Sequence, residues 1–355
     1  MVSYTEIFDS FVPANTGWQD YDIFTNNGIP KGAIVEILMT NGTTNAGRDI
    51  GVRTDGSALD RYITIHESED DGENGYNALV KVDASTGLIE IYCSATTGVT
   101  FYILGYFEGV DYTELFALLP ASTPQQNWNE IDLTGYGVAN NSVVQILMPC
   151  NQINWYNDMG VREVGSALVR YIRTHECEPS PYSAYTNYVK ANAEAKIEYY
   201  NRYIYYVDPG DPTEFFVLGY FGSGMDYQEL WSLKDITVDA TWQEFDLTAE
   251  LDEDGRVVNV CIFNTETSSE NTIGVRGGDS VLNRYYLEHE AESYGITGSC
   301  FTARSNSSGI IDLYSSDNVN ETAYLAGYFI FTEVVVVSKP QFGNLPLKME
   351  VEGMI

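Results

Sequence analysis

Gly51-Val52-Arg53, Gly56-Ser57, Arg61 and His66-Glu67 form a phrase that the chain writes three times. The second copy reads Gly160-Val161-Arg162, Gly165-Ser166, Arg170 and His175-Glu176; the third reads Gly274-Val275-Arg276, Ser280, Arg284 and His289-Glu290. The spacing from the first arginine to the second (53 to 61, 162 to 170, 276 to 284) and on to the histidine (66, 175, 289) is identical in every copy. The chain has 3 histidines, and all of them fall in this phrase. A fixed internal period means one structural unit used three times, which decides the fold before any residue is given a role.

The echo runs outward from the phrase. Each copy opens on Tyr4-Thr5-Glu6, Tyr112-Thr113-Glu114 or Tyr227-Gln228-Glu229, followed by a tryptophan (Trp18, Trp128, Trp242) that heads an acidic-hydrophobic strand. Each closes on Gly105-Tyr106-Phe107, Gly219-Tyr220-Phe221 or Gly327-Tyr328-Phe329. The units are therefore placed at 1–110, 111–225 and 226–337, with 338–355 left as a C-terminal arm. A unit of this length can bury its own core, unlike a short solenoid repeat. The joins are too short for flexible tethers, so the units pack either as a rod or around a pseudo-threefold axis.

Period-2 alternation, as in Ala33–Met39, Tyr62–His66 and Phe101–Leu104, together with 27 Tyr and 15 Phe, reads as short strands. Turn signals such as Asn26-Asn27-Gly28 and Ser85-Thr86-Gly87 interrupt them at short intervals. The expected fold class is all-β: three tandem β-sandwich, jelly-roll-like domains. A short helix is expected over Tyr112–Leu119, and the three tryptophans are expected to anchor the cores.

A net charge of −33 removes nucleic acid from the expected partners, because phosphate binding needs clustered Lys and Arg. No apolar run is long enough to span a bilayer, so no membrane insertion is expected. No signal peptide is visible at the start. The 5 cysteines occupy non-equivalent positions, so a repeated disulfide framework is excluded and buried free thiols are expected; Cys150 and Cys177 share a repeat.

In a strand that starts at Arg61, Arg61 and Glu67 share one face and His66 takes the other. The constellation Arg53, Arg61, His66, Glu67 and its equivalents Arg162, Arg170, His175, Glu176 and Arg276, Arg284, His289, Glu290 is read first as structural. Arg53 and Arg61 would pair with Glu67 and Glu90 to staple strands. The alternative is a pocket, used three times, for a carboxylate or sugar ligand. The histidines meet only if the units enclose an axis; core or interface positions are expected for them, and no metal site is assigned. Acid-rich turns offer weak Ca²⁺ candidates at Glu69, Asp70, Asp71, Asp252 and Asp254, none with EF-hand spacing. No cofactor is expected, and the elbow, zincin, phosphate-loop and dinucleotide signatures of enzymes are missing.

Repeat two carries a six-residue insertion (Ile197 to Gly219 spans 22 positions, Ile89 to Gly105 spans 16), rich in tyrosine. Tyr199, Tyr200, Tyr203 and Tyr205 are expected to form an interface hairpin. In the arm, Phe342, Leu345, Leu347, Met349 and Val351 are expected to dock on another copy or a neighbouring structural protein. At the level of organisation alone, tandem jelly rolls with a terminal arm resemble structural proteins of virions and their appendages. The resemblance implies a non-enzymatic, homo-oligomeric assembly protein of a virion, filament or cell surface. A carbohydrate-binding adhesin that holds cell-surface glycans is the alternative, and a glycan-active enzyme ranks last.

Overall fold

The computed structural model describes residues 2–68, 72–120, 125–150, 157–174, 182–203, 214–237, 240–291, 296–317 and 319–331. Among these residues each repeat contributes eight strands. The first supplies β1 (Ser3–Phe11), β2 (Gly17–Asp22), β3 (Ile34–Asn41), β4 (Arg48–Thr54), β5 (Tyr62–Ile65), β6 (Asn74–Lys81), β7 (Leu88–Cys93) and β8 (Val99–Glu108). The second supplies β9 (Tyr112–Leu118), β10 (Gln125–Asp132), β11 (Val143–Cys150), β12 (Asn157–Glu163), β13 (Tyr171–Arg173), β14 (Ser183–Lys190), β15 (Lys196–Tyr203) and β16 (Phe216–Phe221). The third supplies β17 (Met225–Lys234), β18 (Thr241–Asp246), β19 (Val257–Asn264), β20 (Asn271–Gly277), β21 (Tyr285–Glu288), β22 (Thr297–Arg304), β23 (Ile310–Ser315) and β24 (Glu321–Phe331).

The strand orders are β1-β8-β3-β6 and β2-β7-β4-β5, and the other two repeats reproduce both. Two four-stranded antiparallel sheets joined by this crossing order make a jelly roll. One element corrects the sequence reading. The Tyr112–Leu119 segment is strand β9, held by antiparallel pairing to β16 from Tyr112↔Phe221 to Leu118↔Phe216, so tertiary pairing overrides local helix propensity. The one α-helix among the described residues, α1 (Ile23–Asn27), is capped by Asp22 and closed by Gly28. No helix among them is long and apolar enough to cross a membrane.

The inner sheets explain the near-continuous apolar runs. All eight residues of β3 are buried. Val35, Ile37 and Met39 face the first sandwich's own core, whereas Ile34 and Leu38 lie on the opposite face. Leu38 and Leu104 pack into the core cluster of repeat three, Leu147, Ala184 and Leu218 of repeat two into that of repeat one, and Cys261, Phe263 and Ala326 of repeat three into that of repeat two. Of the two arrangements the sequence permits, the repeats therefore adopt the pseudo-threefold ring.

Strands β6, β14 and β22 meet at its centre. Alongside them Phe107, Phe221 and Phe329 form a closed triad, with ring centroids 5.3, 5.5 and 5.9 Å apart and edge-to-face packing. Tyr4, Tyr112 and Tyr227 surround it. The glycine of each closing motif makes room for the opening tyrosine: a Cβ on Gly105 would stand 2.3 Å from the Tyr4 hydroxyl.

Truncating any one of Phe107, Phe221 or Phe329 to alanine is expected to cost about 3–5 kcal/mol. The three costs should be similar, read from urea unfolding midpoints, because each ring fills an equivalent place.

Candidate functional site

The recurring arginines divide into two sets with different work. In β5 and the residue before it, Arg61, Ile63 and Ile65 point inward, and Arg61 is 1% exposed; Arg170 and Arg284 are 1% and 0% exposed. A guanidinium so buried requires a partner. The partner comes from the next repeat: Glu114 faces Arg61 at 3.8 Å, Glu229 faces Arg170 at 2.8 Å, and Glu6 faces Arg284 at 3.5 Å. One to two, two to three, three to one: the pairs close the ring.

Each carboxylate also accepts backbone N–H groups of the repeat it reaches. Glu114 accepts from Thr54 (3.0 Å) and Lys81 (2.9 Å), Glu229 from Glu163 (2.9 Å), and Glu6 from Gly277 (3.0 Å) and Arg304 (2.8 Å). Thr54 and Lys81 belong to the outer and inner sheets respectively, so one side chain ties both layers of its neighbour. Burial raises the Glu229 carboxyl above its usual range, and Arg170 and the Glu163 N–H offset part of that.

This corrects the expected pairing of Arg61 with Glu67. Strand β5 ends at Ile65 and the chain turns to bond repeat two, with the His66 N–H donating to the Tyr182 carbonyl, so Glu67 leaves the Arg61 face. The true partners were visible as the invariant glutamate of the opening Tyr-x-Glu motif. A repeat, however, does not say which copy answers which.

The second set, Arg53, Arg162 and Arg276, lies on the outward face of the outer sheets. Arg53 Nε donates to Glu90 at 2.7 Å, Arg162 to Glu198 at 2.5 Å and Arg276 to Asp312 at 2.9 Å; each Nη1 also closes a turn onto the carbonyl of Leu59, Leu168 or Leu282. The guanidinium planes cover Trp18, Trp128 and Trp242 at 3.9–4.1 Å. The tryptophans are thus half-buried outer-face residues and not core anchors. Tyr62 with Tyr92, Tyr171 with Tyr200 and Tyr285 with Tyr314 stack beside them across Gly51, Gly160 and Gly274.

His66 is buried at the end of the seam, not on the outer face, and its Nδ1 lies 2.7 Å from the Glu67 carbonyl. Its ring is 6.3 Å from that of His289. Burial, with His66 as a lesser cause, pushes His289 down to about 3, so its imidazole is neutral. Glu290 is buried. His175 and Glu176 lie outside the described residues.

Tyr199 and Tyr200 are corrected from a hairpin to the body of β15, where Tyr199 packs on Phe215 and Tyr200 on Trp128 and Tyr171. Tyr203 is the last residue of β15, and Tyr205 lies outside the described residues. Of the Ca²⁺ candidates, Asp252 is taken up by Arg256 through two bonds of 2.7 and 2.8 Å, and Asp254 lines an open cleft of about 700 Å³ with Tyr4, Glu6, Asp279 and Arg304. Glu69, Asp70 and Asp71 lie outside the described residues, as do Phe342, Leu345, Leu347, Met349 and Val351. Among the described residues no group of three or more His, Cys, Asp or Glu is arranged to hold a metal ion. The expected free thiols are corrected in part: Cys261 and Cys300, directly opposite on β19 and β22, form a disulfide, while Cys93 is a buried free thiol and Cys150 is buried.

No family model and no curated protein matches the chain. Among solved structures, one described as "The Triple Jelly Roll Fold and Turret Assembly in an Archaeal Virus" is 9% identical over 93% of this chain and 90% of its own, with a TM-score of 0.19. A structure from Sulfolobus Turreted Icosahedral Virus is 8% identical over 94% and 91%, with a TM-score of 0.20. A tandem CBM22 domain from Paenibacillus barcinonensis is 9% identical over 62% and 93%, with a TM-score of 0.17. At these TM-scores the likenesses carry no argument about function.

Arg170→Ala is expected to cost about 3–5 kcal/mol in chemical denaturation, because it strands Glu229 in a buried site. Replacing both partners with apolar residues of similar volume should recover most of that loss. In an NMR titration the His289 imidazole should show no protonation step between about pH 5 and 8.

Proposed function

We propose that this chain is a non-enzymatic structural or assembly protein, a component of a virion, an extracellular filament or a cell surface. The observation that carries this reading is the closed ring of Arg–Glu seams. Three equivalent units, each with an inner sheet covered on both faces, give one polypeptide the symmetry of a trimer. The recurring buried arginines Arg61, Arg170 and Arg284 are consumed in holding the units together. Contact with other molecules is left to the outer faces and to the non-recurring arm at 338–355, which would dock on a second copy or on a neighbouring structural protein.

A second reading, a carbohydrate-binding adhesin, is favoured by one feature. Each outer sheet carries a Trp, Tyr, Tyr row beside an Arg–carboxylate pair, half-buried in repeats one (Trp18, Tyr92, Tyr62) and three and with Tyr200 buried in repeat two, and aromatic residues of this kind serve as rigid contact groups. Weak sites in three copies would act together.

Light scattering after size exclusion, with negative-stain microscopy, should find discrete oligomers or filaments of the full chain, and removal of residues 338–355 should return monomers. A full-length chain that stays monomeric at high concentration would overturn the assembly reading. A glycan array that binds the full chain and loses the signal with Trp18→Ala, Trp128→Ala and Trp242→Ala combined would establish the second reading.

A further inference from the structure

The three seams are not equal. Each is joined by one parallel bridge between the end of a short outer strand and the segment before the next repeat's central strand: Ile65 with Tyr182, Thr174 with Ile296, and Glu288 with Glu73. Bridged residues stand abreast on one face, so only the closing seam, between repeats three and one, sets two carboxylic acids side by side.

Glu288 is 1% exposed. Tyr286 donates its hydroxyl to Glu288, and Tyr102 donates to Glu73 at 3.1 Å; the two tyrosine rings are 6.2 Å apart. The seam is therefore crossed by a Tyr–Glu–Glu–Tyr strip. The backbone bonds there are Glu73 N–H to the Leu287 carbonyl (2.8 Å) and His289 N–H to the Glu73 carbonyl (3.1 Å). Among the described residues no Lys or Arg pairs with either acid.

We propose that this carboxyl pair is a proton-dependent latch. The ring is closed at the repeat three–repeat one seam while the pair holds a proton, and that seam loosens when both acids ionise. Two neighbouring carboxylates, one buried (Glu288) and one half-buried (Glu73), repel when both are charged. The groups that face Glu288 reinforce this. Tyr286 lies on its own strand and Glu73 comes from repeat one, bonded by Tyr102 and Thr40. Among the described residues Glu321 of β24 and the neutral His289, with His66 behind it, also face it. None of these is a Lys or Arg that would favour the ionised form.

Burial, and secondarily Glu73 and Glu321, raise the Glu288 carboxyl well above the usual range, with the His289 N–H opposing. A carboxyl raised in the folded state stabilises fully below its unfolded value, and the contribution is lost as pH rises through the folded value. The latch is thus closed in acid and weakened toward alkaline pH.

Native-state hydrogen exchange on the full chain tests this. Corrected for intrinsic rates, protection of the Glu73 and His289 amides should fall by about tenfold for each unit by which the carboxyl is raised as pH increases. The equivalent amides of His66, Tyr182 and Ile296 should hold. Glu288→Gln should keep the closing seam protected throughout, and Glu73→Gln, should the first variant not fold, should blunt the loss. Equal loss at all three seams, or a variant profile matching the wild type, would overturn the proposal.

Discussion

An inner sheet with two apolar faces cannot stand alone. One face of β3, β11 and β19 is covered by the repeat's own outer sheet, and the other would meet water in an isolated unit. The hydrophobic effect therefore demands a neighbour for every repeat. In a rod the last face would stay bare, whereas a ring of three covers all of them. The Phe107, Phe221 and Phe329 triad is where the three covered faces converge.

Apolar covering does not by itself fix register, because sheet faces can slide over one another. The buried arginines supply that constraint. Arg61, Arg170 and Arg284 each require a carboxylate, and the ring provides one by inserting Glu114, Glu229 or Glu6 between the two layers of the adjacent sandwich. Pairs so buried add little net stability compared with apolar replacements, but they penalise every misaligned arrangement heavily. The ring is closed by burial and aligned by charge.

Much of this was legible in the sequence. The triplication, the all-β class and Glu90 as an acid stapled by the recurring arginines follow from spacing and alternation, because strand period and cross-strand distance are local quantities. Partners across repeats were not legible: three identical phrases look alike whether a residue answers its own copy or the next, so the sequence offers Arg61 only Glu67 or Glu90 of its own copy. The tryptophans misled for a related reason. A large ring suggests a core, yet Trp18 is sheltered by a guanidinium on the outside of the sheet, and an alternation pattern cannot tell which cover it has. Tyr199 and Tyr200 read as an insertion because length was compared, although they fill the strand positions of Ile91 and Tyr92 in repeat one.

Joining three units in one chain frees them from identity. At equivalent points on the central strands the chain places Glu36, Gln145 and Asn259. Glu36 is fully buried and raised by that burial, yet it accepts from Asn77 at 2.8 Å, Thr302 at 3.1 Å and Tyr4 at 3.2 Å. Two amides and one carboxyl are a solution that a symmetric homotrimer cannot adopt. The same holds for the Cys261–Cys300 cross-link, which stands where the other repeats have Leu38 with Asn77 and Leu147 with Thr186. Where three copies must share one axis, a group that suits one place crowds the other two, and covalent fusion removes that conflict. Departures from symmetry therefore appear at the axis and the closing seam, while the Arg–Glu pairing, which every seam needs, recurs at all three at 2.8–3.8 Å.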